Sequence, residues 1–464
     1  MRIRFLAVAT GVVLVLAAVS AQNAPRLVSL LVTGGTVVTV DAANRVLPNG
    51  AVAIDGTEIV AVDTAENIAR QFRGRETIDA TGQLILPGLI NTHTHAAMVL
   101  FRGLADDLAL AEWLNKYIFP AEGTLVSPAF VRAGTRLAAL EMIQSGTTTF
   151  TDMYYFEEEV ANQTKAAGLR GILGQTIIQF PVADAKTPAD ALVRADAFIT
   201  AFKGDPLVTP AVAPHALYTL DGPTLKAARD LSRRHNVPTL IHLAETRDEV
   251  QSAQERFRSS PVAYLDSLGF LGPGVLGAHG IWVSDADIAV LKMRGVGVSH
   301  NPESNMKLAS GAAPVPAYIR ADVNIGLGTD GAASNNDLDM FEAMRVAAFL
   351  HKHVTVDPRV LSARTVLEMA TIRGARALGQ DKVIGSLEPK KHADLITVSV
   401  TGARQTPMYD PISHLAYVIK GDDVQNTIVN GKILMRGRKM MTLDEAAIIR
   451  EAQSWVDKVR AAIK

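Results

Sequence analysis

Cysteine is absent from this chain, and its absence removes several kinds of chemistry at once. Without thiols there is no disulfide framework, no thiolate zinc site and no cysteine nucleophile. The zinc deaminases that hold their metal through one histidine and two cysteines are excluded as well. Any metal in this protein must therefore be bound by histidine and carboxylate side chains.

An excess of charge of either sign is also missing. The 464 residues carry 46 lysines and arginines against 47 aspartates and glutamates. Because this balance leaves no basic field, nucleic acid is not an expected partner. The length is sufficient for one large domain and one small one.

Residues 1–21 have the pattern of a secretory signal peptide. Arg2 and Arg4 form a basic start, residues 5–19 are apolar and almost uncharged, and Val19–Ala21 supplies small residues for cleavage after Ala21. An uncleaved N-terminal anchor is the competing interpretation, although the apolar run is short for a membrane span. Both interpretations place the protein outside the cytoplasm. We expect a periplasmic or secreted protein with no stable membrane span after cleavage.

Two β-rich regions flank a long middle region. Residues 27–86 and 386–440 contain short alternating apolar segments, which predict a small β-sandwich domain built from both chain ends. Residues 87–385 alternate apolar strands with helical stretches, which predicts an α/β fold of the (β/α)8 TIM-barrel type. An open doubly wound sheet is the alternative, but no Gly-x-Gly-x-x-Gly follows the first strand. A C-terminal helix is expected over 441–464. The strand candidates of the middle region are Leu84–Thr94, Thr147–Met153, Arg170–Ile178, Leu207–Pro214, Pro238–Leu243, Gly274–Ile281, Gly295–His300 and Asn324–Thr329.

Histidines and carboxylates gather at the predicted C-terminal ends of these strands, where barrel enzymes place their chemistry. His93 and His95 lie on the first strand, and alternation along a strand points both imidazoles the same way. Further residues of these types follow the fourth to eighth strands: His215, His242 with Glu245, His279, His300 and Asp330. The other histidines, which we expect on surface helices or loops without a role, are His235, His351, His353, His392 and His414.

Four longer motifs give the chain a family resemblance. They are PGLINTHTH at 87–95, HLAET at 242–246, VSHNPESNMKL at 298–308 and GTDGAASNN at 328–336. With them the chain resembles the amidohydrolase superfamily, in the branch of 5-methylthioadenosine/S-adenosylhomocysteine deaminases and triazine chlorohydrolases. The resemblance implies a metal-dependent hydrolytic deaminase of an adenine nucleoside or its thioether derivative, which releases ammonia and the inosine analogue.

The resemblance also implies the metal site. His93, His95, His242 and Asp330 would hold one divalent ion. Three imidazoles, a carboxylate and an open position for water suit a catalytic zinc, so zinc is the expected metal, with iron or manganese as alternatives. Binuclear relatives carry a bridging lysine on the third or fourth strand, and neither predicted strand contains a lysine here. We therefore expect a single ion.

Catalytic roles follow from the same resemblance. The ion lowers the pKa of its water to about 7, Asp330 takes the proton of that water, and His279 orients or polarises the hydroxide. Glu245 protonates a ring nitrogen of the heteroaromatic substrate. The expected substrate contacts are Trp113 near the purine, Glu122 on the ribose hydroxyls, His215 and Ser334.

Gln175 departs from the pattern of the relatives. They carry an arginine at this position, near the end of the third strand, and another in the following loop, where residues 180–188 offer Lys186 but no arginine. A homocysteine carboxylate would lack its bidentate partner. We therefore expect adenosine-like or methylthioadenosine-like substrates to outperform S-adenosylhomocysteine.

Other functions fit the same residues. An s-triazine chlorohydrolase or deaminase, or a guanine or pterin deaminase, would use the same ion on another heteroaromatic substrate, but Glu245 favours the nucleoside deaminase. A non-catalytic binding protein is the third alternative, although no ligand or proton carrier is missing. A homo-oligomer is compatible with the sequence, which does not fix the oligomeric state.

Overall fold

The computed structural model describes residues 24–462. The predicted signal peptide, residues 1–21, lies outside the described residues. Among those that are described, no helix is both long and apolar enough to cross a membrane.

The N-terminal region of the described chain forms five strands. They are β1 (Arg26–Val38), β2 (Val46–Asp55), β3 (Glu58–Thr64), β4 (Phe72–Asp79) and β5 (Gln83–Pro87). In β1, buried and partly exposed residues alternate over most of the strand, as expected for a strand with one face on a core.

The middle region forms a parallel eight-stranded barrel whose strands follow one another in chain order. They are β6 (Leu89–Thr94), β7 (Thr147–Tyr154), β8 (Arg170–Ile177), β9 (Val208–Pro214), β10 (Thr239–Leu243), β11 (Val275–His279), β12 (Gly297–His300) and β13 (Asn324–Leu327). The strands are almost wholly buried because helices cover their outer faces. The Asp330 amide donates to the His93 carbonyl at 3.0 Å and joins the last strand to the first. The predicted TIM barrel is confirmed.

The first strand candidate is wrong in its extent. Leu84–Thr94 was expected to be one strand, but β5 and β6 are separate and belong to different sheets. Gly88 lies between them, pressed against the Thr148 side chain so closely that a Cβ atom has no room there. The chain therefore changes sheets at a position that only glycine can occupy.

Helices follow the barrel strands and connect the two parts of the fold. Their bounds are Ala65–Gln71, Leu110–Trp113, Phe119–Leu125, Pro128–Gln144, Glu157–Ala167, Pro188–Phe202, Gly222–His235, Arg247–Phe257, Pro261–Ser267, Asp285–Arg294, Pro302–Lys307, Val315–Arg320, Met340–Thr355, Ala363–Met369, Ile372–Ala377, Pro411–Tyr417, Glu445–Gln453 and Val456–Ala462. Leu114–Ile118 is a π-helical turn and Ala96–Phe101 a 3-10 turn. The last two helices, which replace the single C-terminal helix expected, are separated by a break at 454–455.

The C-terminal region returns to the small sheet. It adds β14 (Leu395–Ser399), β15 (Val424–Val429), β16 (Lys432–Arg436) and β17 (Lys439–Met440). β14 pairs with β5 in antiparallel register, so both chain ends contribute to one nine-stranded sheet. Val52 and Ile54 from the first part share an apolar cluster with Leu395 and Ile428 from the second. The predicted small β domain built from both chain ends is confirmed, and its strands are hydrogen-bonded into one connected sheet.

Candidate active site

Three imidazoles and one carboxylate converge at the mouth of the barrel. His93 lies on β6 and His95 directly follows that strand, His242 lies on β10, and Asp330 follows β13. The Nε2 atoms of His93 and His95 each lie 3.4 Å from Asp330 Oδ1, and the Nε2 atoms of His95 and His242 are 3.3 Å apart. His93 Nε2 is buried and has no hydrogen-bond partner among the described residues. These nitrogens and this oxygen therefore point at one shared space.

The outer nitrogens of two of these histidines are anchored to backbone carbonyls. His95 Nδ1 lies 2.8 Å from the Met153 carbonyl, and His242 Nδ1 lies 2.9 Å from the His215 carbonyl. A carbonyl can only accept, so each Nδ1 carries the proton and each Nε2 presents a lone pair inward. Support of this kind orients histidines that bind metals.

The protonation states suit a cation. Burial lowers the pKa of His93 to about 4 and that of His242 well below its usual value, so both imidazoles are neutral. Burial alone would raise the pKa of Asp330, but the neighbouring histidines hold it well below its usual range. Neutral imidazoles beside an ionised carboxylate form a donor set that fits a divalent metal such as zinc.

Glu245 and His279 lie beside this cluster. His279 Nε2 is 3.9 Å from Glu245 Oε2 and 3.9 Å from Asp330 Oδ2, and its Nδ1 lies 2.8 Å from Asn305 Oδ1. Burial raises the pKa of Glu245. Burial opposes a charge on His279, but Glu245 and Asp330 outweigh it and raise the pKa of His279. The site thus brings together Glu245, a carboxyl group with a raised pKa, and Asp330, a carboxylate with a lowered pKa.

The backbone at these strand ends is strained. Ala244, His279 and Asp330 have positive φ angles of 49°, 72° and 64°, which residues with a Cβ rarely adopt. Strain of this kind persists where the surrounding structure enforces it, and it is concentrated at functional sites. Glu249 helps to hold this conformation, because its carboxylate accepts hydrogen bonds from the backbone amides of Ala244 and Glu245 at 3.1 and 2.9 Å. Glu249 was not predicted from the sequence. Its position in the first turn of the helix that follows Glu245 could have indicated it.

A cavity of about 620 Å³ opens onto the cluster. The residues expected to contact the substrate all line it: Trp113, Glu122, His215, Glu245 and Ser334. The Tyr154 hydroxyl donates to Glu122 at 2.7 Å, and burial raises the pKa of Glu122 to about 7. Tyr154 also lines the cavity but was not predicted from the sequence. It is the last residue of β7, and the predicted site residues likewise lie at the ends of barrel strands.

Gln175 does not face the cavity. Its side chain is fully buried and donates to Asp184 at 2.9 Å, whereas the next residue, Thr176, lines the cavity wall. The role inferred for Gln175 beside the substrate tail is therefore wrong.

Two histidines assigned to the surface are buried instead. His351 lies on the helix Met340–Thr355, with its Nε2 3.0 Å from His300 Nε2. His414 Nε2 lies 3.1 Å from the Gln405 carbonyl. Neither histidine lines the cavity.

Comparisons with known proteins agree with this geometry. A model of the Amidohydrolase family matches residues 84–434. A 5-methylthioadenosine/S-adenosylhomocysteine deaminase of Syntrophobacter fumaroxidans is 48% identical over 415 residues, which cover 89% of this chain and 94% of that protein. A 5'-deoxyadenosine deaminase of Methanosarcina mazei is 44% identical over 438 residues, covering 94% of this chain and 99% of that protein.

Solved structures resemble the chain along almost its whole length. An adenosine deaminase from Xanthomonas campestris with bound zinc has a TM-score of 0.93 at 38% identity, covering 94% of this chain and 100% of that one. A triazine hydrolase from Arthrobacter aurescens has a TM-score of 0.84 at 23% identity, covering 94% of this chain and 99% of that one. At that identity the second likeness concerns the fold alone.

Proposed function

Because the chain belongs to the amidohydrolase family, we propose that it is a metal-dependent hydrolytic deaminase of adenine nucleosides or their thioether derivatives. The observation that carries the proposal is the convergence of His93, His95, His242 and Asp330 beside Glu245, at the base of one cavity. Relatives named as deaminases of 5'-substituted adenosines and a zinc-containing adenosine deaminase support it.

His93, His95, His242 and Asp330 would hold one divalent ion, with zinc as the proposed metal. When bound, such an ion supplies a nucleophilic water at neutral pH by lowering its pKa to about 7. The fit rests on the lone pairs that His95 and His242 direct inward and on the buried Nε2 of His93, which otherwise has no partner among the described residues.

Proton transfers are assigned to Asp330 and Glu245, and the orientation of the water to His279. Asp330 takes the proton that the attacking water loses, and His279, hydrogen-bonded to Asn305, orients that water through Nε2. Glu245 delivers a proton from its carboxyl to the ring nitrogen of the purine, which makes the neighbouring carbon electrophilic. Asp330 then passes the proton it took to the amino group, which leaves as ammonia when its bond to the ring carbon breaks, and Glu245 regains a proton from the new hydroxyl group.

Substrate binding is assigned to the cavity wall. The Glu122 carboxylate accepts hydrogen bonds from the ribose hydroxyls, with its position fixed by Tyr154. Trp113 packs against the purine side, and His215 and Ser334 face the bound nucleoside from the opposite strand ends.

An ammonia-release assay on purified, metal-analysed protein tests the function. Adenosine, 5'-deoxyadenosine and 5'-methylthioadenosine are compared with guanine, a pterin and an s-triazine. Turnover of the adenine nucleosides is the expected result, whereas turnover of only a triazine, guanine or pterin would replace the proposal with that alternative.

One metal ion per chain is expected, and the His93→Ala/His95→Ala double variant should lose it; two ions per chain, or full occupancy in the variant, contradicts the ligand assignment.

We also propose that residues 1–21 are cleaved as a signal peptide and that the mature protein acts in the periplasm or outside the cell. Mass analysis of the protein from its native host tests this. A mature N-terminus near Gln22 supports it, and an intact Met1 in a cytosolic fraction opposes it.

A further inference from the structure

A second chamber lies outside the nucleoside cavity. The two share Leu110, Leu114, Phe119, Tyr218 and Leu308 as lining residues, so the outer chamber adjoins the nucleoside cavity at the barrel mouth. The space measures about 1,720 Å³ including its open mouth. Its inner wall is mainly apolar and aromatic, which suits a substituent that extends from the nucleoside toward solvent.

Arg247 is the only lysine or arginine among the described residues that line either cavity. It begins the helix Arg247–Phe257, directly after the HLAET motif. Its guanidinium lies 4.3 Å above the Trp282 ring centroid, a cation–π contact. Within the described part of the chain it forms no ion pair, although Asp248 and Glu249 also line the chamber, with the Glu249 carboxylate held by the amides of Ala244 and Glu245. The positive charge is therefore free to bind an anion.

Trp282 is a rigid platform for this arginine. Its indole N–H donates to the Ser310 carbonyl at 2.7 Å, and its backbone N–H donates to the Ala244 carbonyl at 2.9 Å. Gly311 packs against the ring so closely that a Cβ atom there would lie 2.8 Å from Trp282 Cζ2. Because the ring is held on both sides, the stacked guanidinium loses less conformational entropy when it binds a ligand.

We propose that Arg247, stacked on Trp282, binds a carboxylate at the end of an extended 5'-substituent and so selects nucleosides with an anionic tail. The inference rests on the proposed function and names a specificity determinant for it. Apart from the proposed metal, whose open position the reacting water occupies, the nucleoside cavity offers no cationic lysine or arginine, and its wall contains Glu122 and Glu245, so a carboxylate on the tail has no side-chain cation to pair with there. A group several atoms beyond the ribose reaches the outer chamber, where the guanidinium can bind a carboxylate through two parallel hydrogen bonds.

The proposal revises the expectation drawn from Gln175. That residue is buried behind the cavity wall, so the lack of an arginine at its position does not decide how a tail is bound. The positive charge is supplied instead by Arg247, on the helix that follows β10.

Steady-state kinetics of S-adenosylhomocysteine and 5'-methylthioadenosine test the proposal in wild type, Arg247→Met and Arg247→Lys. In Arg247→Met the ratio of kcat/KM for the carboxylated substrate to that for methylthioadenosine should fall about tenfold or more, through KM, because a charge-assisted hydrogen bond is lost. Arg247→Lys keeps the charge and should recover part of the ratio. Arg256→Met is the matched control, since Arg256 stacks on Phe257 in the same helix and lines neither chamber.

The outcomes separate the two proposals. If nucleosides react but Arg247→Met leaves the ratio unchanged, or Arg256→Met lowers it equally, the Arg247 inference is overturned. If adenosine 5'-monophosphate, whose phosphate lies next to the ribose, is the substrate that depends on Arg247, a phosphate site replaces the carboxylate site. If no nucleoside is deaminated, the proposed function fails. Calorimetric binding of S-inosylhomocysteine to wild type and Arg247→Met then still decides the inference, which requires at least about tenfold weaker binding in the variant.

Discussion

Burial sets the protonation of most groups at the barrel mouth. It raises the pKa of Glu245, and that of Glu249 to about 7, while it lowers the pKa of His93 to about 4. Asp330 and His279 are the exceptions, because their neighbours outweigh burial: the histidines lower the pKa of Asp330 and keep it ionised, and the carboxylates raise the pKa of His279. Two carboxyl groups whose pKa values are pushed apart in one site can serve as acid and base in the same reaction. The environment therefore supports Glu245 as proton donor and Asp330 as proton acceptor.

Glu245→Gln tests the acid role. The amide fills the same space but cannot transfer a proton, so kcat should fall by at least about 10²-fold while the metal content is unchanged. Turnover and elemental analysis are measured on the same preparation. Glu255→Gln, an exposed change in the following helix, is the control and should match wild type. Loss of metal, or near-normal turnover, would show that Glu245 is not the proton carrier.

Glu122→Gln tests the cost of a buried carboxyl group. Burial raises the pKa of Glu122 from 4.5 to about 7, so the folded protein holds this proton where the unfolded chain has lost it. The wild type should therefore lose stability as pH rises from about 4.5 to about 7. Because the amide that replaces the carboxyl group stays neutral, the variant should be more stable than wild type at pH 8, on the order of 2–3 kcal/mol.

Urea unfolding of the Glu122→Gln variant at pH 4 and pH 8 measures the effect. The difference from wild type should disappear at pH 4, where both side chains are neutral. Glu112→Gln is the control, because Glu112 is exposed in the neighbouring helix and pairs with Lys116. A constant difference at both pH values would mean that the carboxyl group does not titrate as inferred.

From the sequence, strand alternation brings two of the expected metal ligands together, but it does not identify the residues of β8 that form the cavity wall. His93 and His95 are two residues apart, and alternation along extended backbone predicts that they share a side, although β6 ends at Thr94. The same alternation separates Gln175 from Thr176 on β8. The sequence alone does not show whether Gln175 or Thr176 faces the cavity, because this depends on how β8 is oriented in the barrel. For His351 a signal existed, since Phe341, Met344, Ala348 and His351 recur at helical spacing and form the buried face of one helix.

At the scale of elements, a close approach between an α-helix and a 3-10 turn supports the segment that carries His95. Gly134, in the helix Pro128–Gln144, lies against the backbone of the 3-10 turn Ala96–Phe101, which directly follows His95. A Cβ atom at Gly134 would lie 2.8 Å from Ala97 Cα and still closer to the Ala97 carbonyl oxygen. The backbone cannot move away there without moving the chain that carries His95.

Gly134→Ala should therefore destabilise the protein by about 1–3 kcal/mol and weaken metal retention. Urea unfolding and metal content after dialysis are the measurements. Gly123→Ala is the control, because Gly123 lies in the helix Phe119–Leu125 with nothing within 4 Å of its added Cβ. That change should be neutral or stabilise the helix by up to about 1 kcal/mol. Equal effects of the two substitutions would refute the role given to this contact.

At the scale of the whole molecule, the barrel and the small sheet share one core. A single apolar cluster contains Leu84 and Ile396 from the sheet together with Phe150 and Ile143 from the barrel. The sequence indicated both parts but not this continuity, which depends on contacts between residues far apart in the chain. A shared core predicts that the two parts unfold together.

A buried ion pair joins the two parts and offers a test of that coupling. Arg170, at the start of β8, donates from Nε to Asp394 Oδ2 at 2.9 Å and from Nη2 to Oδ1 at 3.3 Å. Asp394 also accepts the Asn430 amide at 2.7 Å, and its carbonyl accepts the Gly88 amide at 3.0 Å. Asp394 thus contacts the barrel strand, the sheet and the point where the chain passes between them.

Asp394→Asn should lower the free energy of unfolding by about 3–5 kcal/mol, because it leaves the Arg170 charge buried without a counter-ion. Asp357→Asn is the matched control, since it removes the partner of Arg359 in an exposed pair and should cost less than about 1 kcal/mol. Calorimetry and urea unfolding are measured on both variants. If barrel and sheet form one cooperative unit, Asp394→Asn shifts a single transition to lower temperature. Two separate transitions, with only the sheet melting early, would show that the small domain folds independently of the barrel and that the ion pair only attaches it.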